Sequence, residues 1–385
     1  MKLAFQIAYK NLIGSGLRTW LNVIVLSFVF VVIIFFNGLI DGWNQQSLQE
    51  SIKWEYANGY LLNNDYDPND AFTIADGHGH LPDSDTKNLT PVLIRQATIY
   101  PQGRLKSVLL KGIPAGQETI ALPTASLDSS HANIPVLIGK RMAETAKLKE
   151  GDQVLMRWRD KNGTFDAADV TVHRIFDTSV ASMDNGQIWM PVERLWELTG
   201  LHGQATLYIA DSDFQTENFD GWNFESQDEL LQDFRDLIEM KKVSGNFMYI
   251  ILLFIALIAI FDTQVLSIFR RQKEIGTYVA MGMTRMQVLR LFTVEGAMYS
   301  VFGVVLGMAY GIPLFIVLSR MGITLPEFYQ DMGVNLPRTI YPVFGVELIV
   351  LTVLALIISA TLVSLIPARK IARMDPVMAL KGKIQ

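Results

Sequence analysis

No cysteine occurs among the 385 residues, so neither a disulfide scaffold nor a Cys-based zinc site is available. Charge is also scarce, at 18% of residues, where an average soluble protein has roughly 25%. Half of the chain is hydrophobic, which excludes a disordered polar segment. The net charge of −5 and the pI near 5.6 argue against a basic nucleic-acid binder. No G-x-x-x-x-G-K-[ST] loop is present, so the chain is not its own P-loop ATPase. HExxH and G-x-S-x-G are absent too, and the chain reads as non-catalytic, with no cofactor and no metal of its own.

What is there is apolar residues in long runs. Residues 20–40 carry no formal charge, 247–269 carry only Asp262, and 343–366 carry only Glu347. A fourth run, 288–318, is interrupted by Arg290 and Glu295. About 20 apolar residues cross a bilayer as a helix, so four transmembrane helices are expected, at 20–41, 246–269, 288–318 and 343–366. Soluble core helices rarely stay apolar all round for that length. The first run is too long for the h-region of a cleaved signal peptide and lacks the small-residue cleavage site, so it is read as retained.

Basic residues set the expected orientation. Lys2, Lys10 and Arg18 precede the first span; Arg270, Arg271, Lys273, Arg285 and Arg290 lie between the second and third; Arg369, Lys370, Arg373, Lys381 and Lys383 follow the fourth. The opposite loop, 319–342, holds only Arg320 and Arg338. Residues 1–19, the connection 270–287 and the tail 367–385 are therefore expected in the cytoplasm, and 42–245 outside it. Lys241 and Lys242 on the outer flank are a mild exception.

The segment 42–245 holds 30 acidic and 18 basic residues, a net −12, and is long enough for a packed α+β domain. Residues 105–113 and 153–159 are strand-like, 140–149 read as a short helix, and 65–84 as loop. Lys161, Asn162 and Gly163 mark a hairpin between 154–158 and 170–176. Ser226 and Glu229 form a capping-box pattern, with Leu230, Leu231, Phe234, Leu237 and Ile238 on one face of a helix running toward the second span. Trp43, Leu48, Ile52 and Tyr56 continue the first span less regularly. Asp76-Gly77-His78-Gly79-His80 is the one metal-like cluster; two His at i, i+2 need further ligands, so a solvated loop is the favoured reading.

Three polar features fall on or beside the spans. Asp262 and Glu295 are intramembrane carboxylates, and either a proton or substrate path or a polar tie near the cytoplasmic interface. The tie is favoured, because Asp262 lies only eight residues before Arg270. Gly303, Gly307 and Gly311 form a small-xxx-small packing stripe, followed by the potential kink at Pro313. In the connection, Glu274 and its basic neighbours offer polar contacts, while Ile275, Tyr278, Val279 and Met281 offer an apolar face. Gly276 and Gly282 permit close approach or a bend. On chemistry alone, a docking helix and an amphipathic helix facing lipid headgroups are equally open.

The connection reads R-R-Q-K-E-I-G-T-Y-V-A-M-G from Arg270 to Gly282, followed by Glu295-Gly296 in the third span. Pro367-Ala368 through Pro376 to Ala379-Leu380, the opening Ile7-Ala8 to Arg18-Thr19, and Ile138-Gly139-Lys140 with Gly151-Asp152 complete the set. In order and spacing these resemble the FtsX/MacB-type (type VII) ABC permeases, including the Lol permeases. The resemblance spans essentially the whole chain and implies an integral membrane α-helical protein with an α+β, MacB-like periplasmic domain inserted between helices 1 and 2. It implies a bacterial inner-membrane location. It further implies a cytoplasmic ABC ATPase subunit that binds ATP and Mg, a second permease copy or paralogue, and surrounding membrane lipids. A periplasmic chaperone, adaptor or effector is a further candidate partner.

The resemblance favours ATPase docking for the connection and assigns coupling to Arg271, Glu274, Ile275, Gly276, Tyr278, Ala280 and Gly282. The expected activity is lipoprotein release or export of a hydrophobic or peptide substrate. The alternative is mechanical regulation of an extracytoplasmic enzyme such as a cell-wall hydrolase, which is ranked lower because such permeases have smaller outer domains. Lol permeases that recruit a chaperone carry a longer, proline-containing hook, whereas the matching 160–169 here is short and lacks proline.

Overall fold

The computed structural model describes residues 17–82, 86–128, 134–215, 219–325, 337 and 339–372. The opening motif up to residue 16, most of the loop between the last two spans, and the end of the C-terminal motif from residue 373 lie outside the described residues. In chain order the elements begin with α1 Leu17–Ser51, β1 Gly59–Asn63, β2 Leu89–Ile99, β3 Lys106–Ile113, β4 Pro135–Gly139 and α2 Lys140–Ala146. Next come β5 Gln153–Arg159, β6 Phe165–Phe176, β7 Gln187–Pro191, α3 Val192–Thr199, β8 Leu207–Ala210 and β9 Trp222–Ser226. The chain continues with α4 Gln232–Arg270, α5 Gln272–Ala280, α6 Arg285–Met321, β10 Ile323–Thr324, β11 Thr339–Ile340 and α7 Val346–Ala372.

Two compact units result. Among the described residues, one comprises those within 17–43, 238–323 and 339–372, the other those within 44–237 together with 324, 325 and 337. The first is a bundle built from α1, α4, α6 and α7, each long and apolar enough to cross a membrane. Its core joins Val23, Leu26, Phe30 and Ile34 of α1 to Ile260 of α4, Tyr299 of α6 and Ala360 of α7. Outward-facing positions such as Phe28, Phe254, Val305 and Leu354 are also apolar, as a lipid-facing surface requires. The bundle helices are longer than the apolar runs alone: α4 takes in polar turns before residue 246.

The second unit is a mixed α/β body on a nine-stranded sheet ordered β3-β7-β4-β6-β5-β2-β8-β1-β9. Strand β2 also pairs with β3, so six of the strands close into a barrel. Its 11 residues are long enough to serve three neighbours: β3 and β5 inside the barrel, and β8 through its first residues. Alternation decides the rest. Val154, Met156 and Trp158 of β5 point into the barrel core, whereas Arg157 and Arg159 point out. Helix α2 closes the core with Met142 and Ala143, and α3 with Val192 and Leu195.

Two details depart from the expected elements. The hairpin after β5 has its second strand starting at Phe165 instead of residue 170, because Asp160 gathers the turn tightly. Its Oδ1 accepts from the backbone N–H groups of Asn162 and Thr164, and Gly163 takes φ +80°. The capping box at Ser226 and Glu229 is formed, but the capped turn Gln227–Leu230 is separate from α4. The chain breaks at Leu231, whose side chain is buried, and resumes with Arg235 N–H on the Leu231 carbonyl.

Gly139 joins β4 to α2 where the backbone of Asp184 passes against it; an added Cβ would lie 2.5 Å from Asp184 Cα. Asp184 in turn accepts from Arg141 N–H at 2.9 Å and pairs with the Arg141 guanidinium at 3.5 Å. Gly139→Ala is expected to destabilise the body by about 1–3 kcal/mol through overpacking. Thermal unfolding of the full chain followed by near-ultraviolet circular dichroism would show this; an unchanged transition would contradict it.

Candidate functional site

Helix α4 ends where its backbone runs out of helical geometry at Arg271, with φ −102° and ψ 18°. The short helix α5 follows, then a turn through Gly282 at φ +98°. A Cβ at Gly282 would meet nothing within 4 Å, so glycine is needed there for backbone conformation and not for space. Thr284 then starts α6 with a complete capping box to Gln287. The sequence thus writes a helix–short helix–helix connection with a defined break at each end.

Arg271 sits at the first break, with its side chain largely buried. Nε donates to Glu274 Oε2 at 2.8 Å, and Nη1 donates to both carboxylate oxygens of Glu295, at 3.1 and 3.2 Å. Glu295 lies inside α6 with only 4% of its side chain exposed. Two charges three residues apart and a third 24 residues beyond Arg271 are therefore one network linking α5 to α6. Burial works to lower the Arg271 pKa, but the charges of Glu295 and Glu274 outweigh it and hold the pKa above its ordinary value. The ring of Phe292 lies 5.5 Å from the guanidinium carbon.

Beneath this network is a small apolar core of Ile268, Ile275, Val288, Phe292 and Ala368. It decides which way α5 faces. Ile275 and Gly276 are buried, Val279 packs on the same cluster, and Tyr278 is half-buried. Lys273, Glu274, Thr277, Ala280 and Met281 are exposed. The apolar face expected to dock elsewhere is thus divided: Ile275 and Val279 hold α5 onto the bundle, and Met281 remains free of it.

Glu295 and Asp262 part company. Asp262 is exposed on α4, with no partner shown for it among the described residues. Its neighbours Thr263 and Gln264 are the buried ones: Asn22 of α1 donates to Thr263 Oγ1 at 2.6 Å. Gln264 has both amide atoms buried and unpaired among the described residues, and it faces Gly296. A Cβ at Gly296 would also overlap Ser364 Oγ of α7, so the glycine after Glu295 lets α6 and α7 meet. Gln264 and Ser364 went unnoticed in the sequence, because a single uncharged polar residue barely interrupts an apolar run. Gly303, Gly307 and Gly311 face α1: added Cβ atoms would lie 2.8 Å from Leu26, 2.7 Å from Phe30 and 3.0 Å from Val31. Helix α6 continues unbroken through Pro313.

In the other unit, the loop histidines are occupied locally. His78 Nδ1 faces Gln204 Oε1 and Nε2 faces the Ala75 carbonyl, while His80 Nδ1 is 2.9 Å from the Gly203 carbonyl. Among the described residues no group of three metal-ligating side chains could hold an ion.

Replacing Gly296 by Leu is expected to force α6 and α7 apart. Full-length protein in maltoside micelles would then lose several degrees in melting temperature, as overpacking of about 1–3 kcal/mol implies. An unchanged melting temperature would contradict the close approach.

Residues 246–376 match the family described as FtsX-like permease C-terminal. The chain is 23% identical over 311 residues to the lipoprotein-releasing system transmembrane protein LolC of Xylella fastidiosa, covering 72% of this chain and 74% of that protein. It is 28% identical over 126 residues to the macrolide export ATP-binding/permease protein MacB of Wolinella succinogenes, covering 33% of this chain and 17% of that protein. With the matched C-terminal region, the four apolar helices and these two relatives, the chain carries an FtsX-like permease region and is similar to the FtsX/MacB-type ABC permeases, the Lol permeases among them.

Proposed function

We propose that this chain couples ATP hydrolysis by a separate cytoplasmic ABC ATPase to movement of its own α/β body, with α5 as the coupling helix. The observation that carries the reading is the Arg271 network, which joins the exposed Glu274 of α5 to the buried Glu295 of α6. A push on the outer face of α5, at Lys273, Glu274, Thr277, Ala280 and Met281, reaches α6 through a charged link and the apolar core around Ile275. Gly282 ends α5 so that it can lie apart from α6, and Tyr278 borders both faces. ATP and Mg belong to the partner chain, since this one lacks a phosphate loop.

In this reading both termini face the cytoplasm of a bacterial inner membrane, and the body lies on the far side. The permease works as a pair, with a second copy or a paralogue. The cargo is a lipoprotein or another hydrophobic or peptide substrate. The longer of the two similarities supports this, because it runs over most of a lipoprotein-releasing protein. The tight Asp160 turn offers no extended hook. A paralogous partner is thus the better place for chaperone capture.

Full-length protein is expected to co-purify with its cognate ATPase from maltoside extracts. Arg271→Gln removes a cation that bonds both carboxylates, and breaking a buried pair of this kind costs about 3–5 kcal/mol. The complex should still assemble but lose most of its cargo-stimulated ATPase activity, and Arg271→Lys should recover part of it. A chain that works without any ATPase sinks the permease reading; an Arg271→Gln complex that couples normally sinks the proposed link.

A further inference from the structure

The outer wall of the barrel carries a cavity of about 630 Å³ that the permease reading does not use. Its floor is set by strand register: Thr98 of β2 lies opposite both Ser107 of β3 and Arg157 of β5, and Arg159 lies opposite Phe165 of β6. The Phe165 ring holds two cations at once, with the Arg157 guanidinium carbon 3.8 Å and that of Arg159 4.4 Å from its centre. Two like charges on one ring repel each other, and among the described residues no ion pair to a carboxylate is formed by either.

A third arginine reaches the same cavity. Arg95 lies on the stretch of β2 between its pairings with β5 and β8, and its side chain is buried. One Nη donates to the carbonyls of Ile74 and Ala75, at 2.9 and 3.0 Å, and Gln96 donates to Ala71 at 2.9 Å. These bonds fasten the rim segment that carries Phe72, which lines the cavity and is 89% exposed. Burial lowers the Arg95 pKa, and Asp76, outside the lining, works against that. Of the residues lining the cavity none is Asp or Glu, in a segment whose net charge is −12.

We propose that this cavity is a binding site for a small anionic amphiphile, with a carboxylate, phosphate or sulfonate held by Arg157 and Arg159 and an apolar part lying against Phe165 and Phe72. The volume suits one drug-sized molecule, and the pre-fastened rim and few convergent polar groups are the usual make-up of such sites. Guanidinium forks bind oxyanions in two-point fashion, and stacking on an aromatic face holds them in place for it. The inference rests on the cavity and not on the coupling scheme.

The probe is 11-(dansylamino)undecanoate, with its uncharged methyl ester as control, titrated into full-length protein in neutral maltoside micelles. Wild type should bind the carboxylate saturably. Arg157→Gln/Arg159→Gln should weaken it roughly tenfold or more, as loss of charge-assisted hydrogen bonds implies. Ser107→Glu, which places a competing carboxylate on the exposed floor, should do the same, while ester binding stays as it was. Both variants change surface residues and should melt like wild type. The proposal is overturned if acid and ester bind alike, if neither variant weakens the acid, or if no saturable binding appears. It is equally overturned if the arginines serve only to retain an acidic protein while the probe never binds.

Discussion

A buried guanidinium must be neutralised where it stands, and the arrangement of the membrane unit's connecting region follows from that constraint at Arg271. Glu295 inside α6 supplies two acceptors and Glu274 on α5 a third. The cation matters most to Glu295, whose side chain is 4% exposed inside a largely apolar helix where an unpaired charge is costly, whereas Glu274 is exposed. The network also fixes the angle at which α5 leaves α4, because Arg271 is itself the residue at the break. Close helix approach then becomes necessary, and Gly296 against Ser364 provides it one residue after Glu295. Glu295 and Gly296 are thus two parts of one packing solution.

The body obeys a different constraint, closure. Pairing of β2 with both β3 and β5 removes the free edges that an open six-stranded sheet would expose. Closure also separates the side chains by parity: apolar residues fill the inside, and the polar and cationic ones gather outside. The concentration of arginine around Phe165 is a consequence of that sorting on β5, where Arg157 and Arg159 alternate with Trp158.

Much of this was legible in the sequence, and the limits are instructive. Long apolar runs announce membrane helices because period and length agree over 20 or so residues. The strand-like runs 105–113 and 153–159 were visible in the sequence, and the observed strands are Lys106–Ile113 and Gln153–Arg159. Closure of the barrel was not, since it depends on pairing between strands far apart, including the parallel pairs β3 with β7 and β4 with β6. In the connection, the residue types pointed to a polar and an apolar face, but not to which of them the bundle would take. Ile275 is buried with Phe292 and Ala368, which lie on the next helix and on the last one. The partnership of Arg271 with Glu295 likewise spans 24 residues, beyond what a helical period can show. Asp262 and Glu295 looked alike as lone carboxylates in apolar runs; only packing separates the exposed one from the buried one.

Helix α1 leads, through a single π-helical turn, into β1, and β9 leads through one capped turn into α4. These two strands are ladder partners, with Gly59 opposite Ser226 and Asn63 opposite Trp222. The body is therefore held by its two tethers at one clamp. Tension shared equally by both helices would load the clamp as a unit and carry the barrel with it. Tension on one helix alone would be met first at the Gly59–Ser226 end of the ladder, where both tethers attach, and the pairs up to Asn63 and Trp222 stand behind it. A fold joined to its membrane helices in this way resists sliding of one helix past the other and yields most readily to motions in which they travel together.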